Sequence, residues 1–78
     1  MEKAEVQRIG HFLSDVHEDI CEGEASPMQL TELYRVIRLL MDATVATQDQ
    51  ELKVVLAGLE YRARQYKRMI EERLGVRN

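Results

Sequence analysis

Seventy-eight residues, a formal net charge of −3 and one cysteine, Cys21, leave room for a single small domain with no internal disulfide. No apolar run approaches the roughly 18 residues that a membrane span requires, because Arg35 and Arg38 interrupt the longest candidate. The opening residues lack a basic region followed by an apolar one, so no secretory signal is expected, and the lone cysteine fits a reducing, cytoplasmic setting.

The first predicted helix covers about residues 2–22. Val6, Ile9, Leu13, Val16 and Ile20 recur at alternating spacings of three and four, which builds one apolar seam, and Phe12 widens it. Gly23 suits the left-handed position that ends a helix. Ser26 and Pro27 then restart the chain as N-cap and first helical residue, where proline's missing N–H costs nothing. A connection this short makes the first two helices antiparallel neighbours.

The second predicted helix covers about residues 27–45 and is apolar over most of its circumference. Leu30, Leu33, Tyr34, Val36, Ile37, Leu39, Leu40 and Met41 leave only Thr31, Arg35, Arg38 and Asp42 as a polar stripe. Such a helix must be covered from several sides. Sandwiching between helices one and three accounts for most of that width, and the region near Val36 and Leu39 still calls for outside cover.

The third predicted helix covers about residues 47–74. Thr47 as N-cap with Gln50 three residues on forms a capping box, and Gly75 closes the helix. Leu52, Leu56, Leu59, Ala63, Tyr66 and Ile70 form its main stripe, broadened by Val55, Met69 and Leu74, with Val54 and Tyr61 partly outside it. At about 1.5 Å per residue the three helices are roughly 31, 27 and 42 Å long. The third therefore overhangs its parallel neighbour by roughly 10 Å, carrying Tyr66, Met69, Ile70 and Leu74. Gly10 and Gly58 fall inside helices at similar heights, a placement that fits either close helix approach or simple tolerance of glycine.

Charge is distributed unevenly. Residues 1–26 carry seven acidic and two basic side chains, whereas residues 61–78 carry two acidic and six basic ones. The arrangement suits an acidic helix lying beside a basic one, within the molecule or across a dimer. Arg62, Arg64, Lys67 and Arg68, with Arg73 and Arg77 beyond them, also define an alternative function as a nucleic-acid-binding regulator. Glu71 and Glu72 break that positive face, and a pI of 5.3 weighs against a dedicated nucleic-acid binder.

Residues able to carry chemistry are sparse. His17-Glu18-Asp19-Ile20-Cys21 has the spacing of a zinc-protease HExxH with cysteine in the last place, but a catalytic zinc needs three protein ligands, and His11 points elsewhere. His11, Asp15 and Glu18 share one helix face, the usual pattern of a solvated surface. Ser14, Ser26 and Cys21 are the candidate nucleophiles besides threonines, and Ser26 is accounted for as a cap. No glycine-rich phosphate loop and no Glu-x-x-His pair occurs. The expectation is a non-enzyme without metal or cofactor.

The succession of helix, Gly23, Ser26-Pro27, helix, then a long amphipathic helix resembles the small helical-hairpin chaperones of bacterial secretion systems over about residues 9–45. The resemblance implies a bundle that shields a partner's amphipathic helix, and names no pathway. The residues themselves lead to an all-α fold, a three-helix antiparallel bundle made of a hairpin plus a long third helix and completed by oligomerisation. Its expected function is that of an adaptor, chaperone-like or regulatory module that forms a homodimer or binds a partner helix. The expected contacts are Tyr34, Ile37, Met41, Tyr61, Tyr66, Met69 and Ile70, where methionine offers adaptability and tyrosine an apolar body with a polar tip.

Overall fold

A computed structural model describes residues 1–75, and within them the chain forms three α-helices and no strand. They are α1 (Lys3–Glu22), α2 (Pro27–Ala46) and α3 (Gln50–Leu74). The apolar periodicity read from the sequence is the one that is buried. Ile9, Leu13, Val16 and Ile20 of α1 meet Leu30, Leu33, Ile37 and Leu40 of α2 and Leu56, Leu59, Ala63 and Ile70 of α3 in one cluster. Val6, Phe12, Val36, Leu52 and Tyr66 pack around its edge, half-buried.

The first connection follows its local chemistry closely. Gly23 takes the left-handed conformation, φ 75°, which a side chain would resist. Its N–H and that of Glu24 return to the carbonyls of Ile20 and Asp19, satisfying groups that the helix end would otherwise orphan. Ser26 and Gln29 cap α2 reciprocally. The Ser26 Oγ accepts from the Gln29 N–H at 3.3 Å, and the Gln29 Oε1 accepts from the Ser26 N–H at 3.1 Å. The Gln29 amide also donates to the Asp19 carboxylate, tying the start of α2 to the end of α1.

The second connection differs from the sequence expectation. Thr47 ends α2 rather than capping α3, and Asp49 is the N-cap, its carboxylate accepting from the N–H groups of Glu51 and Leu52 at 3.0 and 3.2 Å. A carboxylate at this position also meets the positive end of the helix dipole, an advantage that threonine lacks. The Thr47 hydroxyl instead accepts from the Asp49 N–H. Thr47 leaves α2 in extended geometry, φ −84° and ψ 146°, so no glycine is required at this exit. Asp49→Ala is expected to cost about 1 kcal/mol, measured by chemical denaturation.

Helix three is the middle element of the bundle. It packs intimately against α2 and also against α1, while α1 and α2 approach each other less closely. This corrects the expectation that α2 is the sandwiched helix. Ala63 lies fully buried on the core face of α3. α2 owes its width to a different arrangement, in which Leu33 and Leu40 are enclosed while Tyr34, Leu39 and Met41 remain at the surface.

The overhang is also shorter than the sequence implied. α1 and α3 run parallel. At one end Met1 and Val6 line a cleft with Leu52 and Val55, and at the other Arg73 donates to the Ile20 carbonyl at 2.9 Å. Starting α3 at Gln50 removes about three residues from its predicted length, and its last turns fold against the α1–α2 connection. Ile70 is consequently core, at 1% exposure. Neither internal glycine marks a close approach within the molecule, since a Cβ at Gly10 or Gly58 would meet nothing within 4 Å. Gly10→Ala is therefore expected to stabilise the fold by about 0.5–1 kcal/mol, read as a higher Tm.

Candidate functional site

The seven residues expected to contact a partner divide into three groups. Ile37 and Ile70 are interior, 7% and 1% exposed, so they hold the bundle together and present nothing to a partner. Tyr66 is half-buried at the α1–α3 boundary. Its ring centroid lies 5.4 Å from that of His17, and the Arg62 guanidinium sits 5.9 Å above it. Tyr34, Met41, Tyr61 and Met69 are exposed, in company with Leu39, Val45, Val54 and Val55.

Two of these exposed residues lie along the seam between the antiparallel α2 and α3. Tyr34 donates its hydroxyl to the Glu71 carboxylate at 2.7 Å, and the Lys67 ammonium approaches the same carboxylate at 3.5 Å. Lys67 also stands 5.8 Å from the Tyr34 ring centre. Two turns along α2, Met41 meets the Arg64 guanidinium, which is paired with Glu60 at 2.8 Å. The hydrogen bond to Glu71 is the main reason that the Tyr34 phenol is raised above its ordinary value of 10.0, with partial desolvation and the carboxylate charge adding to it. Glu71 itself is 7% exposed, the one charged residue that is buried among the described residues. Sequence reading treated it as an interruption of a basic face. The Lys67–Glu71 spacing of four was visible there, but the third member, Tyr34, lies on another helix.

The basic residues of α3 are largely engaged inside the molecule. Arg62 lies over Tyr66, Arg64 pairs with Glu60, Lys67 pairs with Glu71, and Arg73 donates to the Ile20 carbonyl near the end of α1. Arg73 thus faces the negative end of the α1 dipole. The acidic helix does lie beside the basic one, yet the ion pairs Glu32–Arg35, Arg38–Asp42, Glu60–Arg64 and Lys67–Glu71 each stay within one helix. Arg68 is exposed on α3, and Arg77 lies outside the described residues.

The metal and nucleophile candidates stay at the surface, except that Ser26, engaged as the α2 cap, and Asp19 are half-buried. His17 Nε2 and Cys21 Sγ are 3.7 Å apart on an exposed face, and His11, Asp15 and Glu18 are exposed as well. Asp19, Glu22 and Glu24 bring carboxylate oxygens within 4.8 Å of one another, a group that does not include His17 or Cys21. Among the described residues no buried side-chain nitrogen or oxygen lacks a hydrogen-bond partner, so no interior group waits for a ligand. The concavities are open clefts. One of about 390 Å³ lies along α2 between Tyr34 and Asp42, and one of about 490 Å³ lies at the end of the bundle beside Met1 and Leu52.

The fold is that of an all-α three-helix bundle, and its surface combines exposed apolar side chains with charged neighbours. No helix among the described residues is long and apolar enough to cross a membrane. Comparison with protein-family models, with curated proteins and with solved structures finds no match.

Proposed function

We propose that this chain is a non-catalytic protein-interaction module that binds an amphipathic helix, supplied by another protein or by a second copy, on the apolar surface of α2 and α3. The observation that carries this reading is the exposure of Tyr34, Leu39, Met41, Tyr61 and Met69 on a bundle whose core is already complete without them. Large apolar side chains set among charged ones are the usual composition of a helix-binding face. Arg64 and Lys67 beside Met41 and Tyr34 supply a polar rim.

Light scattering combined with an apolar fluorescent dye tests the reading. Dye uptake, self-association, or both are expected, and Met41→Glu with Tyr61→Glu should reduce them while helical circular dichroism is preserved. A strict monomer at high concentration that takes up no dye overturns the proposal. A nucleic-acid role draws less support, because Arg62, Arg64 and Lys67 already have partners on the protein. Any retention on heparin is accordingly expected to survive Arg64→Ala combined with Arg68→Ala.

A further inference from the structure

One group of metal-ligating side chains serves neither the core nor the capping of the helices. His17 and Cys21 stand one turn apart on α1, both exposed, with Nε2 and Sγ 3.7 Å from each other. The imidazole is backed by the neighbouring helix. The half-buried Tyr66 ring lies 5.4 Å from it, tilted by 37°, and the Arg62 guanidinium rests over that tyrosine in turn. α1 and α3 run parallel, so one turn beyond the His17–Tyr66 contact Cys21 comes level with Met69 and Ile70. Ile70 is core, whereas Met69 is 46% exposed and lines an open cleft of about 340 Å³ with Ile20, Glu72 and Arg73. An imidazole, a thiol and a thioether thus gather along one stretch of the α1–α3 seam.

We infer that His17, Cys21 and Met69 form a surface site for a soft monovalent cation, Cu(I). The spacing of the first two ligands fits. For bonds of roughly 2.3 Å to sulfur and 2.0 Å to nitrogen, a separation of 3.7 Å subtends about 120° at a shared ion, the angle of a trigonal site. Met69, unbranched and adaptable, supplies the third ligand from α3.

The donor set and the charges select the ion. Thiolate and thioether sulfur favour Cu(I), and imidazole accepts it readily. Zinc would require more ligands, which are absent. Among the described residues no carboxylate or second histidine comes within 4.8 Å of both His17 and Cys21, because Asp19, Glu22 and Glu24 gather by themselves. Binding displaces the proton of the Cys21 thiol, and thiolate with Cu(I) makes a neutral unit to which imidazole and thioether add no charge. Arg73, which donates to the Ile20 carbonyl, holds its guanidinium beside this position. A neutral unit tolerates that neighbour, whereas a dication would be repelled by it.

Anaerobic titration with Cu(I) against a chromophoric chelator, and with Ag(I) as its redox-inert analogue, tests the inference. One equivalent per chain is expected. Cys21→Ser should weaken binding by at least about a hundredfold, His17→Gln by at least about tenfold, and Met69→Leu by about threefold or more. All three positions are exposed, so the variants should keep the helical circular dichroism of the parent. Met28→Leu, an exposed methionine on α2, should leave the affinity unchanged. X-ray absorption of the Cu(I) form should find one nitrogen and two sulfur neighbours, with one sulfur lost in Met69→Leu. Half an equivalent per chain, which denotes an ion bridged by two Cys21 thiolates, overturns the site. So does an affinity indifferent to His17→Gln, a single sulfur neighbour in the parent protein, or a preference for zinc over Cu(I).

Discussion

Leu40→Ala is expected to destabilise the protein by about 3 kcal/mol, whereas Leu39→Ala, one residue away, should cost under about 1 kcal/mol. Leu40 is fully enclosed and Leu39 is 42% exposed, so the two substitutions delete the same atoms from a buried and from a solvated position, about 100° apart around α2. The difference measures the rotational setting of the helix directly. Removing Leu40 forfeits the transfer energy of the side chain and leaves a cavity that close-packed neighbours fill only in part. In a domain this small such a loss is a large fraction of total stability, and Leu40→Ala should be partly unfolded near physiological temperature. Urea denaturation followed by circular dichroism supplies both values. Equal losses for the two variants would contradict the described packing of α2.

Glu71→Ala is expected to destabilise by about 1–2 kcal/mol, because it removes the acceptor of the Tyr34 hydrogen bond and the partner of Lys67 from a nearly buried position. The same site has a pH signature. Folding raises the Tyr34 phenol above 10.0, so this contact contributes fully below the ordinary phenol value and is lost as pH rises through the higher folded one. Phenolate absorbance should therefore show one tyrosine ionising late in the wild type. Tyr34→Phe should abolish that late component, and Glu71→Gln should move it down. A titration unchanged by either substitution would mean that the α2–α3 clamp does not form.

Much of the fold was legible in the chain. The spacing of Ile9, Leu13, Val16 and Ile20 named the buried face of α1 without reference to anything else. Gly23, Ser26 and Pro27 placed the first turn, because a left-handed glycine, a capping hydroxyl and an N1 proline are local requirements of the backbone. The second turn was misplaced by about two residues. Thr47 and Asp49 are both competent caps, and only the competition between the end of α2 and the start of α3 chose between them.

Legibility of the candidate surface was more limited. Apolar residues on a helix announce that something covers them, but not whether the cover is the same molecule. Ile37, Met41, Met69 and Ile70 were all expected as partner contacts, and the two isoleucines became core while the two methionines stayed at the surface. Tyr66 meets His17, and Tyr34 meets Glu71, across gaps of dozens of residues that no periodicity connects.

The sequence by itself determined that this protein is helical, where its first turn falls, and which face of each helix is most apolar. These are consequences of backbone sterics and hydrogen bonding acting within a few residues. Only the tertiary structure decided that α3, not α2, sits in the middle, that Ile70 near its end is core, and that Glu71 is buried with partners from two helices. Those outcomes depend on how three apolar faces share one interior. Close packing is a property of all three helices together, so it settles what local propensity leaves open.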